Sequence, residues 1–238
     1  MSYQEFAYYY DSLMDPAFYD EYVHFLNEHI HFQVGLELGC GTGEMTLRLI
    51  EEGKQITATD LSNDMLEVLF EKAAFKQYHF PIYRMDMCDF SGHDDFEAVL
   101  CFVDSLNYIV EQEKVQSVFN NVYESLKMGG AFVFDVNSLY KHNVILDGYK
   151  EENDDEDFYF EWDVSSDHQG NITHHVVIED KESKERVEEI HHQRTFSMET
   201  YQEMLKKAGF LDIEVYSDFE DYHEKCERLI FICKKEAH

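Results

Sequence analysis

The sequence predicts an α/β fold: a mostly parallel sheet of seven strands with helices on both faces, and beside it a small antiparallel meander of three strands. Three observations carry this expectation. Residues 34–38 read as a short buried strand that runs into Gly39, Gly41 and Gly43 and then into a helix whose apolar side begins with Met45, Leu47, Leu49 and Ile50. Two further strand-like runs, residues 55–60 and 81–87, close on or near an acid, Asp60 and Asp86. Residues 96–103 are a near-continuous apolar run, as expected of a central parallel strand covered on both faces.

The elements follow in order. Residues 2–32 are rich in tyrosine and phenylalanine at roughly helical intervals, with Asp15 and Pro16 suited to an N-cap and a first helical turn. After the second strand, Ser62 caps a helix with a buried side from Met65, Leu66, Leu69, Phe70 and Ala73, which leaves Asp60 free for a ligand. A helix over residues 114–127 stops at Gly129 and Gly130, and residues 131–136 form the fifth strand. Residues 151–157 read as a solvated acidic loop. Segments 158–166, 172–179 and 186–196 alternate and are separated by turn-rich or charged stretches, which gives the meander. Period two groups Phe158, Phe160, Trp162 and Val164 with Ile172, His174, Val176 and Ile178, and with Ile190, His192, Arg194 and Phe196, on one face. Ser197 caps a last helix that Gly209 ends, and strands over 211–216 and 228–233 complete the sheet with an antiparallel final strand.

Composition narrows the function. Acidic residues outnumber basic ones 50 to 19, for a formal net charge of −31. That disfavours nucleic acid, whose affinity comes largely from Lys and Arg on phosphates, and it disfavours an anionic membrane surface. Five cysteines without a C-x-x-C pair read as reduced packing thiols, and no metal is expected. No signal-like N-terminus and no apolar run near the roughly 18 residues of a bilayer span are present, so a cytoplasmic protein is expected.

The glycine loop is the most informative stretch. Three alternate glycines allow a tight turn and close approach of a ligand to the backbone. The dinucleotide fingerprint needs a glycine where this chain has Glu44, and the spacing is instead E-x-G-x-G-x-G from Glu37. Carboxylates on both sides of the loop suit an ammonium or a sulfonium better than a pyrophosphate. The string ELGCGTG resembles the first motif of the class I S-adenosylmethionine-dependent methyltransferases, with matching order and spacing over residues 34–136.

The resemblance implies a Rossmann-like sheet, S-adenosyl-L-methionine as cofactor, and a site made by Tyr10, Glu37, Gly39, Cys40, Gly41, Gly43, Asp60, Leu61, Met65, Asp86, Met87, Phe102 and Ser105. A carboxylate at Asp60 can accept from both ribose hydroxyls, and in the family an acid at Asp86 accepts from the adenine amino group while the Met87 amide meets a ring nitrogen. One methyltransferase domain is expected over 1–238, with N-terminal lid helices at 1–32, a cofactor core at 33–137, the inserted meander at 150–196, and the last helix and closing strands at 197–238. The meander and the stretch Glu189–Arg194 resemble the bacterial small-molecule branch, similar to glycine and amino-sugar N-methyltransferases.

Methyl transfer from a sulfonium needs little more than alignment, so no catalytic residue is demanded. Tyr10, His174, His191, His192 and Arg194 are candidates, and Asp104, Ser105 or Asn107 should face the reacting centre. Arg194 either pairs with a structural acid or points into the acceptor pocket. The N-P-P-Y motif of nucleic-acid and protein amide methylation is absent, with Asp104-Ser105-Leu106-Asn107 near its place. The expected acceptor is a small molecule with an amine among the options, and a homodimer stays open. Two other readings remain at this point: a nicotinamide-dependent oxidoreductase, which the glycine spacing opposes, and a non-catalytic S-adenosylmethionine-binding protein.

Overall fold

The computed structural model describes residues 16–90, 95–154 and 156–236; Tyr10 and Asp15 lie outside the described residues. In chain order the elements are α1 (Pro16–His29), β1 (Val34–Leu38), α2 (Glu44–Glu51), β2 (Gln55–Asp60), α3 (Asn63–Lys76), β3 (Ile82–Arg84), β4 (Phe96–Cys101), α4 (Gln112–Ser125) and β5 (Leu126–Asn137). After these come β6 (Lys150–Asp154), β7 (Phe158–Ser166), β8 (Asn171–Asp180), β9 (Arg186–Arg194), α5 (Met198–Ala208), β10 (Asp212–Ser217), β11 (Glu220–Asp221) and β12 (Arg228–Lys234).

The main sheet runs β11-β10-β12-β5-β4-β1-β2-β3, eight strands where the sequence predicted seven. The extra member is the two-residue β11, folded back onto β10. β12 runs antiparallel to both β5 and β10, and β1 to β5 are mutually parallel. Alternation along the central strands splits the core into two layers. Ala98 and Leu100 of β4, with Val133, Ile230 and Ile232, meet Tyr22, Phe25 and Leu26 of α1 and Leu49 of α2. Val99 and Cys101, with Phe132, Phe134 and Phe231, meet Val118, Phe119 and Val122 of α4 and Tyr201 and Leu205 of α5. Helices therefore cover both faces.

Local chemistry sets the helix ends. The Ser62 hydroxyl accepts from the Met65 amide at 3.3 Å, and the Ser197 hydroxyl accepts from the Thr200 amide at 3.2 Å. Gly209 ends α5 in the left-handed region at φ 118°, where a Cβ would stand 2.7 Å from the Tyr123 ring. Two boundaries differ from the sequence reading. β3 covers Ile82–Arg84 only, so Asp86 lies beyond it. β5 begins at Leu126, directly after α4, and takes in both Gly129 and Gly130.

The second sheet has four strands, in the order β6-β7-β8-β9, not three. The acidic stretch expected to be a solvated loop supplies the edge strand β6, exposed at every residue and held to β7 by ladder bonds and the Lys150–Asp163 ion pair at 2.6 Å. The face assignment also needs correction on β9. Val176 pairs with Glu189, His174 with His191 and Ile172 with Gln193. The face shared with Phe160, Trp162 and His174 therefore carries Glu189, His191 and Gln193, while Ile190, His192 and Arg194 lie on the other. Phe196 is past the strand and packs in the main core.

Apolar and polar contacts seat this sheet over the carboxyl ends of the parallel strands. Met65 of α3 packs against Phe160 and Ile178 together with Trp162 and Val176. Asn107, fully buried in the turn after β4, donates Nδ2 to the Arg194 carbonyl at 2.8 Å and accepts at Oδ1 from the Asn137 amide at 2.8 Å. One side chain thus ties the end of β9 to the end of β5. Replacing Asn107 by Ala abandons two buried backbone groups at about 1–3 kcal/mol each. Urea unfolding of Asn107→Ala should show a loss of about 2–5 kcal/mol; a loss within error would mean that the sheets are held together by other contacts.

Candidate active site

The loops after β1, β2, β3 and β4 meet at one crevice. Gly39 takes φ +67°, and a Cβ there would stand 2.9 Å from Ser105 Oγ and 3.2 Å from Met87 Cε, so the loops after β1, β3 and β4 touch at this glycine. Ser105 Oγ donates within reach of the Gly39 carbonyl at 3.0 Å and the Phe102 carbonyl at 2.8 Å. Gly43 takes φ +85°, a left-handed conformation that favours glycine, and a Cβ there would also press on Leu69, whose Cδ1 would stand 2.1 Å away. Gly41 is different. Its φ is +53° and nothing lies within 4 Å of a Cβ built there, so its backbone is open to a ligand.

Asp60 ends β2 and, contrary to the expectation that the Ser62 cap leaves it free, is held by two backbone amides, with one acceptor site remaining on each oxygen. Its Oδ2 accepts from the Gly41 amide at 2.8 Å and its Oδ1 from the Ser62 amide at 2.8 Å. Burial raises its pKa, and those amides work against the rise. Asp86 is exposed and accepts from the Cys88 amide at 2.8 Å, which closes a short turn. Leu61 is 58% exposed, while Cys40 is buried, its thiol pushed up by burial and then by Glu37 and Asp60. Glu37 lies under the loop at 2% exposure and accepts from the Thr46 hydroxyl. Burial pushes it up to about 7, with Thr46 lowering it and Asp60 raising it.

Beyond the crevice the turn after β4 is strained. Val103 and Asp104 take φ of 55° and 48°, a region costly for a β-branched residue. Asp135, fully buried on β5, holds this corner: Oδ1 accepts from the Val103 amide at 2.7 Å and Oδ2 from the Asp104 amide at 2.9 Å. Arg228 of β12 donates Nη1 to Asp135 and Nη2 to Asp104, the latter at 3.1 Å. Burial opposes ionisation of Asp104, but Arg228 first, then Lys141 and Gln193, hold the carboxyl below its usual range.

From Asp104 a chain of hydrogen bonds climbs into the covering sheet. Gln193 Nε2 donates to Asp104 Oδ2 at 2.9 Å, its Oε1 lies 3.3 Å from His174 Nε2, and His174 Nδ1 accepts from the Trp162 indole at 3.0 Å. An indole N–H can only donate and a carboxylate only accept. The direction of every bond is therefore fixed: Nδ1 of His174 is unprotonated and Nε2 carries the hydrogen. Burial also lowers the His174 pKa. This imidazole is a neutral strut with both nitrogens engaged.

Of the sequence candidates, His174 and His191 share the face over the crevice, whereas His192 and Arg194 do not. His192 is exposed beside Thr173, with Nδ1 3.1 Å from its hydroxyl. Arg194 takes neither expected role: Nη1 donates to the Val110 carbonyl at 3.1 Å and the guanidinium lies 4.5 Å over the Phe196 ring. Asn107 is a buried tie, and Tyr10 is outside the described residues. Sequence reasoning missed Tyr108, Asp135, Glu189, Gln193 and Arg228. Tyr108 is 51% exposed as a residue, but its phenol is raised by burial of the hydroxyl end, then by Asp104, with Gln193 lowering it and Glu189 and Asp60 raising it.

Comparison with known proteins places this geometry. Residues 36–130 match a family model described as a methyltransferase domain. A protein of Geobacillus sp. (strain WCH70), named "Putative methyltransferase", is 36% identical, the alignment covering 99% of this chain and 100% of that one. A solved S-adenosylmethionine-dependent methyltransferase from Clostridium acetobutylicum matches over 100% of both chains with a TM-score of 0.86 and 26% identity. The chain belongs to the S-adenosylmethionine-dependent methyltransferases. A glycine/sarcosine N-methyltransferase of Aphanothece halophytica is 27% identical over 84% of this chain and 74% of its own. These matches favour methyl transfer over nicotinamide chemistry.

The crevice fits S-adenosylmethionine. The open backbone at Gly41 gives a ligand close approach, and the Asp60 carboxylate bonded to its amide suits hydroxyl groups and repels a pyrophosphate. Glu37 also yields a pH signature. Its folded carboxyl binds a proton up to about 7 against an ordinary 4.5, so its destabilising charge is absent below pH 4.5 and fully present above pH 7. A shift of that size corresponds to about 3 kcal/mol. Compared with the wild type, Glu37→Gln should gain stability as pH rises from 5 to 8, read by urea unfolding at both; a difference independent of pH would contradict the buried, proton-binding carboxyl.

Proposed function

We propose that the protein methylates an amine nitrogen of a small-molecule acceptor. The observation that carries this reading is the charge on the covering face. Trp162, His174, Glu189, His191 and Gln193 lie on it, and the one cation bonded into its hydrogen-bond chain, Arg228, is already shared by Asp104 and Asp135. A neutral or cationic acceptor meets no repulsion there, whereas an anionic one does. The name of the Aphanothece halophytica relative, an N-methyltransferase acting on glycine and sarcosine, supports the same class.

S-adenosylmethionine, when bound, supplies a methyl group already activated on a sulfonium. What remains for the chain is alignment and exclusion of water, and positioning of this kind can be worth about 7–11 kcal/mol. The strained corner at Val103 and Asp104 fixes the loop that faces the acceptor, and the sheet above is locked to it through Gln193. His174 contributes rigidity and not a base, because its one lone pair receives the Trp162 indole. The acceptor's ammonium must first give one proton to solvent; the freed nitrogen lone pair can then take the methyl group, the electrons of the broken bond staying on sulfur.

The test is S-adenosylhomocysteine release by the purified protein with a panel of acceptors. Glycine, sarcosine and glucosamine represent amines, and catechol and benzoate represent oxygen nucleophiles. Turnover is expected with at least one amine and not with benzoate. Turnover confined to the oxygen acceptors would contradict the amine reading, and binding of cofactor without release from any acceptor would favour a non-catalytic role.

A further inference from the structure

One carboxylate over the crevice has no use in the network described above. Glu189 is 8% exposed, and among the described residues neither of its oxygens accepts a well-aligned hydrogen bond. Its near neighbour is His191, whose Nε2 lies 2.8 Å from Oε2. The other acid of this region is spent: Asp104 receives Arg228 on one oxygen and Gln193 on the other. Glu189 shares its face with His174 and Gln193 and sits close enough to Tyr108 for its charge to raise that phenol. Removing a charge from water without full compensation is unfavourable, so a fold that keeps Glu189 at this place has another partner for it.

We infer that Glu189 is the acceptor-binding residue and that it takes the acceptor's ammonium group. The inference rests on the amine reading above and adds the residue that enforces it. An ammonium N–H supplies the donor that the buried carboxylate lacks, and charge-assisted bonds of this type are the strong ones. His191 on the second oxygen orients the carboxylate, and the Tyr108 ring stands edge-on to His191 with centroids 6.0 Å apart. The chain from Trp162 through His174 and Gln193 to Asp104 is directionally saturated, so among the buried groups of this face it is Glu189 that has an oxygen to offer. Selection of a cationic acceptor then falls to one side chain.

The test uses Glu189→Gln, which keeps the shape and removes the charge, with Glu189→Asp as the conservative companion. S-adenosylhomocysteine affinity by calorimetry should stay within twofold of the wild type. The melting temperature at pH 8 without acceptor should be unchanged or higher, because an uncompensated charge is gone. The KM for whichever of glycine, sarcosine and glucosamine the wild type methylates should rise at least tenfold in Glu189→Gln, more than kcat falls, with Glu189→Asp between the two. A lower melting temperature in Glu189→Gln would show a structural ion pair with His191 and overturn the inference. An unchanged KM in a folded variant would overturn it while leaving the amine reading intact. A wild type that methylates none of the three amines would take both down.

Discussion

The carboxylate of Asp135 is the constraint on which the rest of the site depends. It is fully buried at the end of β5 and receives the amides of Val103 and Asp104 and the guanidinium of Arg228. Without it two consecutive residues would have no reason to stay in the left-handed region, where a valine is strongly disfavoured. Arg228 sits between two acids, and such a buried cluster is tolerable only when complete, because removal of one member leaves an uncompensated charge. The corner after β4 is thus held from three strands: β4 carries it, β5 supplies Asp135, and β12 supplies Arg228.

That corner also sets the roof. Asp104 binds Gln193, Gln193 abuts His174, and His174 receives Trp162, so the polar interior of the second sheet is a continuation of the network below it. Apolar contact adds a second hold, where Met65 of α3 meets Phe160 and Ile178. Met65 belongs to the stretch beside the cofactor crevice, so packing of the covering sheet and the walls of the crevice are coupled through one helix. Rigidity of this kind serves a reaction in which alignment is the main contribution of the protein.

Much of the fold was legible because its signals are local. The Gly39–Gly43 loop, the Ser62 and Ser197 caps and the Gly209 stop depend on side chains within a few residues of the backbone they serve. The site's second half was not legible, for a physical reason that can be named. On β9 the buried residues toward the crevice are Glu189 and Gln193, both polar, while apolar Ile190 is 60% exposed. Hydrophobic alternation therefore points to the wrong face, and only the pairing of Glu179 with Arg186 across the turn fixes the parity. β6 escaped for a related reason: a charged edge strand gains its ladder bonds without any apolar face, and charge there protects the edge. Asp135 and Arg228 lie far apart in the chain, and nothing in either segment announces the other.

The account stands or falls on whether the crevice at Gly41 and Asp60 holds the cofactor. Calorimetric titration of S-adenosylhomocysteine into the wild type and Asp60→Ala tests it most directly. Charge-assisted hydrogen bonds from two ribose hydroxyls are worth about 1.5–3 kcal/mol each before water compensates. Loss of the carboxylate also frees the Gly41 amide that it now fixes. Affinity should therefore fall at least tenfold in a variant that is still folded by circular dichroism, whereas an unchanged dissociation constant would contradict the placement of the cofactor at the end of β2.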